Sequence, residues 1–320
     1  MYTIQTLNKI APVGLARFPA GFTVDNACTD PDGILVRSAA MHEMDFNPNL
    51  LAIARAGAGT NNIPLARCAE AGIVVFNTPG ANANAVTELA IAALLAASRD
   101  LTGGNAWIRA VAAAGNEDVA KAVEKGKSAY AGPELRSKRL GVIGLGAIGV
   151  QVANAGYALH MDVMGYDPYL SVNSALRLSR AVQVVPTLEE LCAACDYITI
   201  HVPYNEQTKH TIDARLLSGM KDGVRIINLA RGELVDDEAM IAALESGKVA
   251  RYVTDFPNNR ITLAKNVVAF PHLGASTPES EDNCAIMAVQ ELTDYLRNGN
   301  IRNSVNFPAC EMARSGVVRL

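Results

Sequence analysis

Residues 139–149 read Arg-Leu-Gly-Val-Ile-Gly-Leu-Gly-Ala-Ile-Gly, and residues 163–168 read Val-Met-Gly-Tyr-Asp-Pro. Leu140–Ile143 is a short apolar run suited to a buried parallel strand, and Val150–Leu159 continues as an apolar helix. Between them Gly144, Gly146 and Gly149 have the G-x-G-x-x-G spacing. The first glycine of such a set permits a tight turn, and the second lets the backbone approach a pyrophosphate. The third lets helix and strand pack closely. The helix then turns its free N–H groups and positive dipole end toward the phosphates. Asp167 comes about 20 residues later, at the end of the next strand, where a carboxylate bonds both adenosine ribose hydroxyls. No lysine or arginine follows it closely, so a 2′-phosphate would meet a bare negative charge. The stretch predicts a dinucleotide-binding unit that takes NAD rather than NADP.

The rest of the chain suits an α/β protein of about two domains. It has 320 residues, half of them hydrophobic, with only 5% aromatic and a formal net charge of −4. That charge, with no basic cluster, argues against a nucleic-acid partner. The apolar runs stop short of membrane-spanning length, and Met1–Gln5 lacks the charged and apolar regions of a signal peptide. No membrane association and a cytoplasmic location are the expectations. Six cysteines in a chain this long do not suggest a disulfide framework. Cys192 and Cys195 form an isolated C-x-x-C on an amphipathic helix, Thr187–Cys195, and read as small core-facing residues. His42, His160 and His210 have no polar companions at ligand spacing, so no metal site is expected.

Strands alternate with helices along the chain. Gly33–Arg37, Leu51–Arg55 and Ile73–Phe76 read as buried strands, and each runs into a small or polar loop. Ligands bind at that carboxyl edge in parallel sheets. Residues 84–101 read as one apolar helix buried nearly all round, with Glu88 its only internal charge. The mixed, glycine-containing stretch 102–138 carries the sole tryptophan, Trp107, and reads as polar helix and loop, an arm or subunit contact. Beyond Asp167 the expected strands are Val182–Val185, Tyr197–Pro203, Val224–Asn228, Arg251–Asp255 and Val267–Phe270. Helices are expected at Asp236–Ser246 and Glu279–Asn298.

Two polar residues stand just past strands where they could meet a nicotinamide. Arg231 follows Asn228-Leu229-Ala230 and precedes Gly232. A fixed guanidinium there suits capture of a carboxylate and polarisation of its neighbouring carbonyl. His272 follows Val-Ala-Phe-Pro and precedes Leu-Gly-Ala-Ser-Thr; an imidazole in that place can exchange a proton with a developing alkoxide. Together with a nicotinamide these groups describe hydride exchange with a 2-hydroxy acid. His201 reads instead as part of a backbone-lined cofactor loop.

With these residues in view, the chain resembles the D-isomer-specific 2-hydroxyacid dehydrogenases, and within them the D-3-phosphoglycerate dehydrogenase branch. The most specific matches are Arg55-Ala56-Gly57 with Asn61-Asn62, Asn77-Thr78-Pro79-Gly80, the glycine motif, Asn228–Gly232, Pro271–Thr277 and residues 301–308, Ile-Arg-Asn-Ser-Val-Asn-Phe-Pro. The resemblance implies two doubly wound parallel-sheet domains, a Rossmann NAD domain (99–275) inserted into a flavodoxin-like substrate domain (1–98 and 276–320). It also implies a homodimer formed through the NAD domain. By matching position, Thr78, Ala147, Ile148, Asp167, Val202, Leu229, Ala230, Asp255, Gly274 and Ala275 resemble cofactor contacts beside the three glycines. Arg55, Ala56 and Gly57 resemble the site for the substrate's phosphate and carboxylate, with Arg37 as a second cation. The implied reaction is NAD-dependent oxidation of 3-phosphoglycerate to 3-phosphohydroxypyruvate in serine synthesis, with Arg231 and His272 catalytic. Reduction of glyoxylate or hydroxypyruvate is the near alternative. An NAD-sensing, corepressor-like binding protein is a reading of another class.

The chain departs from the family at one place. A glutamate normally lies between the aspartate strand and the histidine, whereas here Asp255-Phe256-Pro257-Asn258-Asn259-Arg260 leads on to His272 with no further acid. Without that partner, hydroxy-acid oxidation is expected to persist to lower pH than in glutamate-bearing relatives, unless folding brings up another acid such as Glu279. The chain also ends soon after Asn306-Phe307-Pro308, near where many relatives begin a serine-binding regulatory domain. Val317–Leu320 resembles the opening of its first strand. The expectation is a truncated or naturally shorter chain without serine feedback.

Overall fold

The computed structural model describes residues 1–115 and 118–312. It divides into two compact units, one formed by Met1–Ala85 with the chain from Ala275 onward, the other by Val86–Gly274. Val317–Leu320 lies outside the described residues. The strands of the first unit are β1 (Tyr2–Thr6), β2 (Phe22–Val24), β3 (Gly33–Val36), β4 (Ala52–Arg55) and β5 (Val74–Phe76). They form one parallel sheet in the order β2-β1-β3-β4-β5. The second unit holds β6 (Arg139–Ile143), β7 (Asp162–Tyr166), β8 (Gln183–Val184), β9 (Tyr197–Ile200), β10 (Val224–Asn228), β11 (Val249–Thr254) and β12 (Val267–Ala269). Its parallel sheet runs β12-β11-β10-β9-β6-β7-β8.

The central strands of both sheets are buried on both faces, which is why they read as unbroken apolar runs. Leu35, Ala52, Ala54, Val74 and Phe76 enter one core of the first unit, while their chain neighbours Ile34, Val36, Ile53, Ile73 and Val75 enter the other. The second unit repeats this: Ile198, Ile200 and Ile226 pack on one side, Tyr197 and Ile227 on the other. Cys192 and Cys195 sit in the first of those cores as free thiols, and burial pushes each up to about 12.

In each unit the strand order reverses at a point where the chain leaves one side of an early strand and returns on the other. That point lies between β1 and β3 in the first unit and between β6 and β9 in the second. Crevices at the carboxyl ends beside such a reversal are where open α/β sheets bind ligands.

The expected apolar helix is shorter than its apolar run, and the next helix follows closely. The apolar helix ends at Ser98 (Ala83–Ser98), and a second begins at Leu101 (Leu101–Ala114). Asp100 makes the break: its carboxylate accepts the Gly103 N–H at 3.0 Å, capping the new helix, and pairs with Arg251 at 2.8 Å. None of the residues of Leu101–Ala114 is buried, although Trp107 stacks on Tyr130 with ring centroids 5.2 Å apart. The closing helix Pro278–Asn298 starts one residue before its expected place, with Thr277 as cap and proline at its first position. Among the described residues no helix is long and apolar enough to cross a membrane.

Candidate active site

At the end of β6 the glycines do three different jobs. Gly144 has φ +88°, a conformation open to glycine at little cost, and its N–H donates to Tyr166 O at 2.8 Å. A Cβ on Gly149 would lie 1.8 Å from the Gly144 carbonyl oxygen, so helix and turn approach as closely as they do only because that position is bare. Gly146 faces open space. The helix Ala147–Ala158 starts from it without a side-chain cap, so Ala147 and Ile148 belong to a first turn suited to an outside anion.

Asp167 is held from two sides. Its carboxylate accepts the N–H of Leu145, between the first two glycines, and the N–H of Tyr169, each at 2.8 Å. The strand-end acid is thereby locked beside the glycine turn, with lone pairs to spare for ribose hydroxyls. Open space over Gly146, an uncapped helix end and a fixed carboxylate fit a dinucleotide.

The remaining strands of this sheet bring the other expected residues to the same edge. After β9, the His201 ring bonds Thr199 Oγ1 at 2.9 Å, and desolvation lowers its pKa to about 4. It is therefore a neutral ring tied to its own strand, and Val202 beside it lies against Gly144. After β10, Asn228 braces the Leu229–Arg231 turn: its Oδ1 accepts the Ala230 N–H at 3.1 Å and its Nδ2 donates to Arg231 O at 2.8 Å. The Arg231 guanidinium donates to Ala230 O at 2.6 Å and lies 5.5 Å from the centre of the Phe256 ring. That ring packs against His272 with centroids 4.6 Å apart. Phe256 thus links the two polar residues, a role that its place in the sequence does not reveal.

Asp255 completes the group. It is fully buried; its Oδ2 accepts the Gly274 N–H at 3.0 Å, and its backbone oxygen accepts the His272 N–H at 3.1 Å. Burial pushes its carboxyl above the usual range, while the Gly274 bond and the charges of His272 and Arg231 pull it back. Asp255 is therefore a buried acid within reach of the His272 and Arg231 charges, on a chain that lacks the family's glutamate. His272 itself has φ +49°, uncommon for a side-chain-bearing residue, and its ring is exposed.

A cavity of about 670 Å³ in this unit is lined by Phe256, His210, Glu233, Asp236, Asp237 and Glu238 among others. Its acidic wall is ill suited to an anionic substrate. His210 does have an acidic companion, Asp236 Oδ2 at 3.6 Å. Among the described residues no group of three or more His, Cys, Asp or Glu could hold a metal.

In the first unit Arg37 follows β3 and Arg55 ends β4, both at the carboxyl edge. Asn8 Oδ1 accepts the N–H groups of Arg37, Ser38 and Ala39 at 3.1, 3.0 and 2.9 Å, fixing the turn after β3. Arg37 pairs with Glu281 at 2.7 Å. Arg55 Nε donates to Arg37 O at 3.0 Å, and its guanidinium lies over Gly57, where a Cβ would come 2.6 Å from Nη1. Ala56 is buried. The Cys284 thiol is pushed up by burial and drawn back by the Arg55 and Arg37 charges among others. The fully buried Thr78 is tied through its N–H to Gly57 O at 3.2 Å. Ala275 and Glu279 also belong to this unit.

Residues 91–274 match the D-isomer specific 2-hydroxyacid dehydrogenase, NAD binding domain. Over 99% of its length the chain is 34% identical to the D-3-phosphoglycerate dehydrogenase of Methanocaldococcus jannaschii, of which the match covers 59%. The chain spans about half the length of several other curated relatives it matches. A glyoxylate reductase structure from Paecilomyes thermophila superposes with TM-score 0.78 at 24% identity, covering 95% of this chain and 98% of that one, and so shares the fold. The NAD+-bound 3-phosphoglycerate dehydrogenase of Entamoeba histolytica matches with TM-score 0.74 at 26% identity, covering 96% and 99%. The chain belongs to the D-isomer specific 2-hydroxyacid dehydrogenases, with residues 91–274 as their NAD binding domain.

Proposed function

We propose that this protein is an NAD-dependent dehydrogenase that interconverts 3-phosphoglycerate and 3-phosphohydroxypyruvate. The observation that carries the reading is the Arg231–Phe256–His272 row, with Asp255 buried beside it, on the sheet that also bears the glycine turn. NAD, when bound there, supplies the hydride acceptor for oxidation and its reduced form the donor for the reverse. Asp167 holds the adenosine ribose, and the glycine turn with Ala147 and Ile148 receives the pyrophosphate. Val202, Leu229, Ala230 and Gly274 furnish the remaining walls in this unit.

Arg231 clamps the substrate carboxylate and polarises the adjacent carbonyl. His272 takes the hydroxyl proton during oxidation and returns it during reduction. Asp255 steadies the charge that His272 acquires in between. On the first unit Arg55, with the backbone of Ala56 and Gly57, is the group for the substrate's anionic phosphate, and Arg37 adds a second cation. The helix Leu101–Ala114, which buries none of its residues within the unit, is the surface for a homodimer.

A second reading keeps the chemistry and takes a smaller keto acid such as glyoxylate or hydroxypyruvate. The Arg37–Glu281 pair favours it, because it neutralises one of the two cations a phosphate would need. The loss of NADH absorbance with phosphohydroxypyruvate and with hydroxypyruvate tests both. The proposal expects a higher kcat/KM for the phosphorylated acid. Equal or reversed preference supports the second reading, and no turnover of either removes both.

A further inference from the structure

The segment 301–308, matched to the family by its letters alone, has no part in the chemistry above. In the structure it is a strap along the outer edge of the first unit's sheet. β5 is the last strand of that sheet, and residues 303–306 run antiparallel beside it. The Val305 N–H donates to Val75 O at 2.9 Å. The Asn306 side chain accepts the Val75 N–H at 2.9 Å and donates to Ile73 O at 2.9 Å, copying a strand's two bonds. The strap therefore satisfies an edge that would otherwise expose backbone groups.

Its first residue reaches further. Asn303 takes a left-handed conformation, φ +51°, and its carbonyl accepts the N–H of Asn77, the first residue of the turn after β5. From Asn77 the turn is tied onward to the substrate's anion site. Asn77 Nδ2 donates to Ala58 O at 2.6 Å, and the Thr78 N–H donates to Gly57 O at 3.2 Å. The Asn303 side chain is held in turn by a buried acid, its Nδ2 donating to Glu291 Oε1 at 2.6 Å. Glu291 lies on the closing helix, only 8% exposed. A continuous line of bonds thus runs from Glu291 through Asn303 and Asn77 to the backbone that bears Arg55 and Gly57.

We propose that Asn303, gripped by Glu291, is a positioning residue that sets the Asn77–Gly80 turn and, through it, the anion site at Arg55–Gly57. A carboxyl is a costly choice for a mere tether at this depth: burial pushes its pKa up to about 7, against the lowering bond from Asn303. The inference rests on the reading of Arg55–Gly57 as the site for the substrate's anionic end.

Asn303→Gly keeps the left-handed backbone and removes only the grip. With phosphohydroxypyruvate it should raise KM about tenfold, leave kcat within about twofold and leave NADH affinity, read by NADH fluorescence, unchanged. Glu291→Ala should match it, while Glu291→Gln, which still accepts the Asn303 bond, should restore KM to within about twofold. Hydrogen exchange of peptides spanning residues 74–82 should quicken in Asn303→Gly and Glu291→Ala and return to the native rate in Glu291→Gln. That readout needs no turnover, so it decides the positioning role even if the wild-type protein proves inactive on the phosphorylated acid. Native KM together with native exchange in Asn303→Gly overturns the proposal. A parallel loss of kcat and NADH affinity also overturns it, because that pattern marks general unfolding.

Discussion

The two units prepare for their ligands in opposite ways. On the second unit the groups that would meet the dinucleotide are fixed through backbone: Asp167 by two N–H donors and the turn by Gly144 and Gly149. On the first unit the Arg37 guanidinium that would meet a substrate is engaged by a competing carboxylate, Glu281. A preset cradle binds without rearrangement, whereas an engaged cation must exchange one partner for another. The dinucleotide side should therefore respond to mutation mainly through charge and close contact, and the substrate side through competition.

The largest effect should come from Arg231→Ala, which removes both alignment and polarisation. Its kcat/KM for the keto acid should fall by about 10³-fold, about 4 kcal/mol, with NADH affinity kept. Near-native turnover would move the catalytic centre elsewhere.

Glu291 gives the next largest, in stability. Its pKa is about 7 in the folded protein, against 4.5 for an ordinary glutamate. The folded state thus binds this proton more tightly than the unfolded state. The stabilisation is complete below pH 4.5, is lost as pH rises through 7, and changes no further above that. Wild type should lose about 3 kcal/mol relative to Glu291→Gln across that window, as an upper figure. Denaturant midpoints for both proteins at acid and alkaline pH test it; parallel pH curves would mean the carboxyl is already solvated.

Asp167→Ala should narrow the preference for NAD over NADP by about tenfold, or 1–2 kcal/mol, since the carboxylate both bonds the ribose and repels a phosphate. The ratio of the two affinities is the useful number, because the variant also loses the bonds to Leu145 and Tyr169. An unchanged ratio would assign the ribose to another residue.

The smallest effect tests the competition directly. Both partners of the Arg37–Glu281 pair are more than two-fifths exposed, so its worth is small. Glu281→Gln should lower KM for phosphohydroxypyruvate about two- to threefold, roughly 0.5 kcal/mol, and leave hydroxypyruvate unaffected. Equal changes for both acids would mean that Arg37 does not read the phosphate.

Much of the dinucleotide side was legible because it is local. Gly144, Gly146, Gly149 and Asp167 lie within one βαβ unit, so spacing alone carries their geometry. Strands buried on both faces were equally plain as apolar runs. β1 and β2 carry no such signal. β1 alternates polar and apolar residues, and β2 is a short, largely exposed edge strand with little apolar signal. The helix break at Asp100 was hidden because its partner, Arg251, is far along the chain. For the same reason the order of residues does not foretell the Arg37–Glu281 pair, Phe256 between Arg231 and His272, or the Asp255 carboxyl buried near their charges. Each depends on side chains that only the folded sheet edge brings together.

The most direct test of the central claim is the ratio of kcat/KM for phosphohydroxypyruvate to that for hydroxypyruvate, measured in wild type and in Arg55→Ala. A charged hydrogen bond to the phosphate is worth about 2 kcal/mol. The ratio should therefore favour the phosphorylated acid in wild type and drop about 30-fold in the variant, with hydroxypyruvate turnover nearly unchanged. A ratio near one in wild type, or one that Arg55→Ala leaves untouched, would contradict a phosphate-reading first unit and with it the assignment to 3-phosphoglycerate.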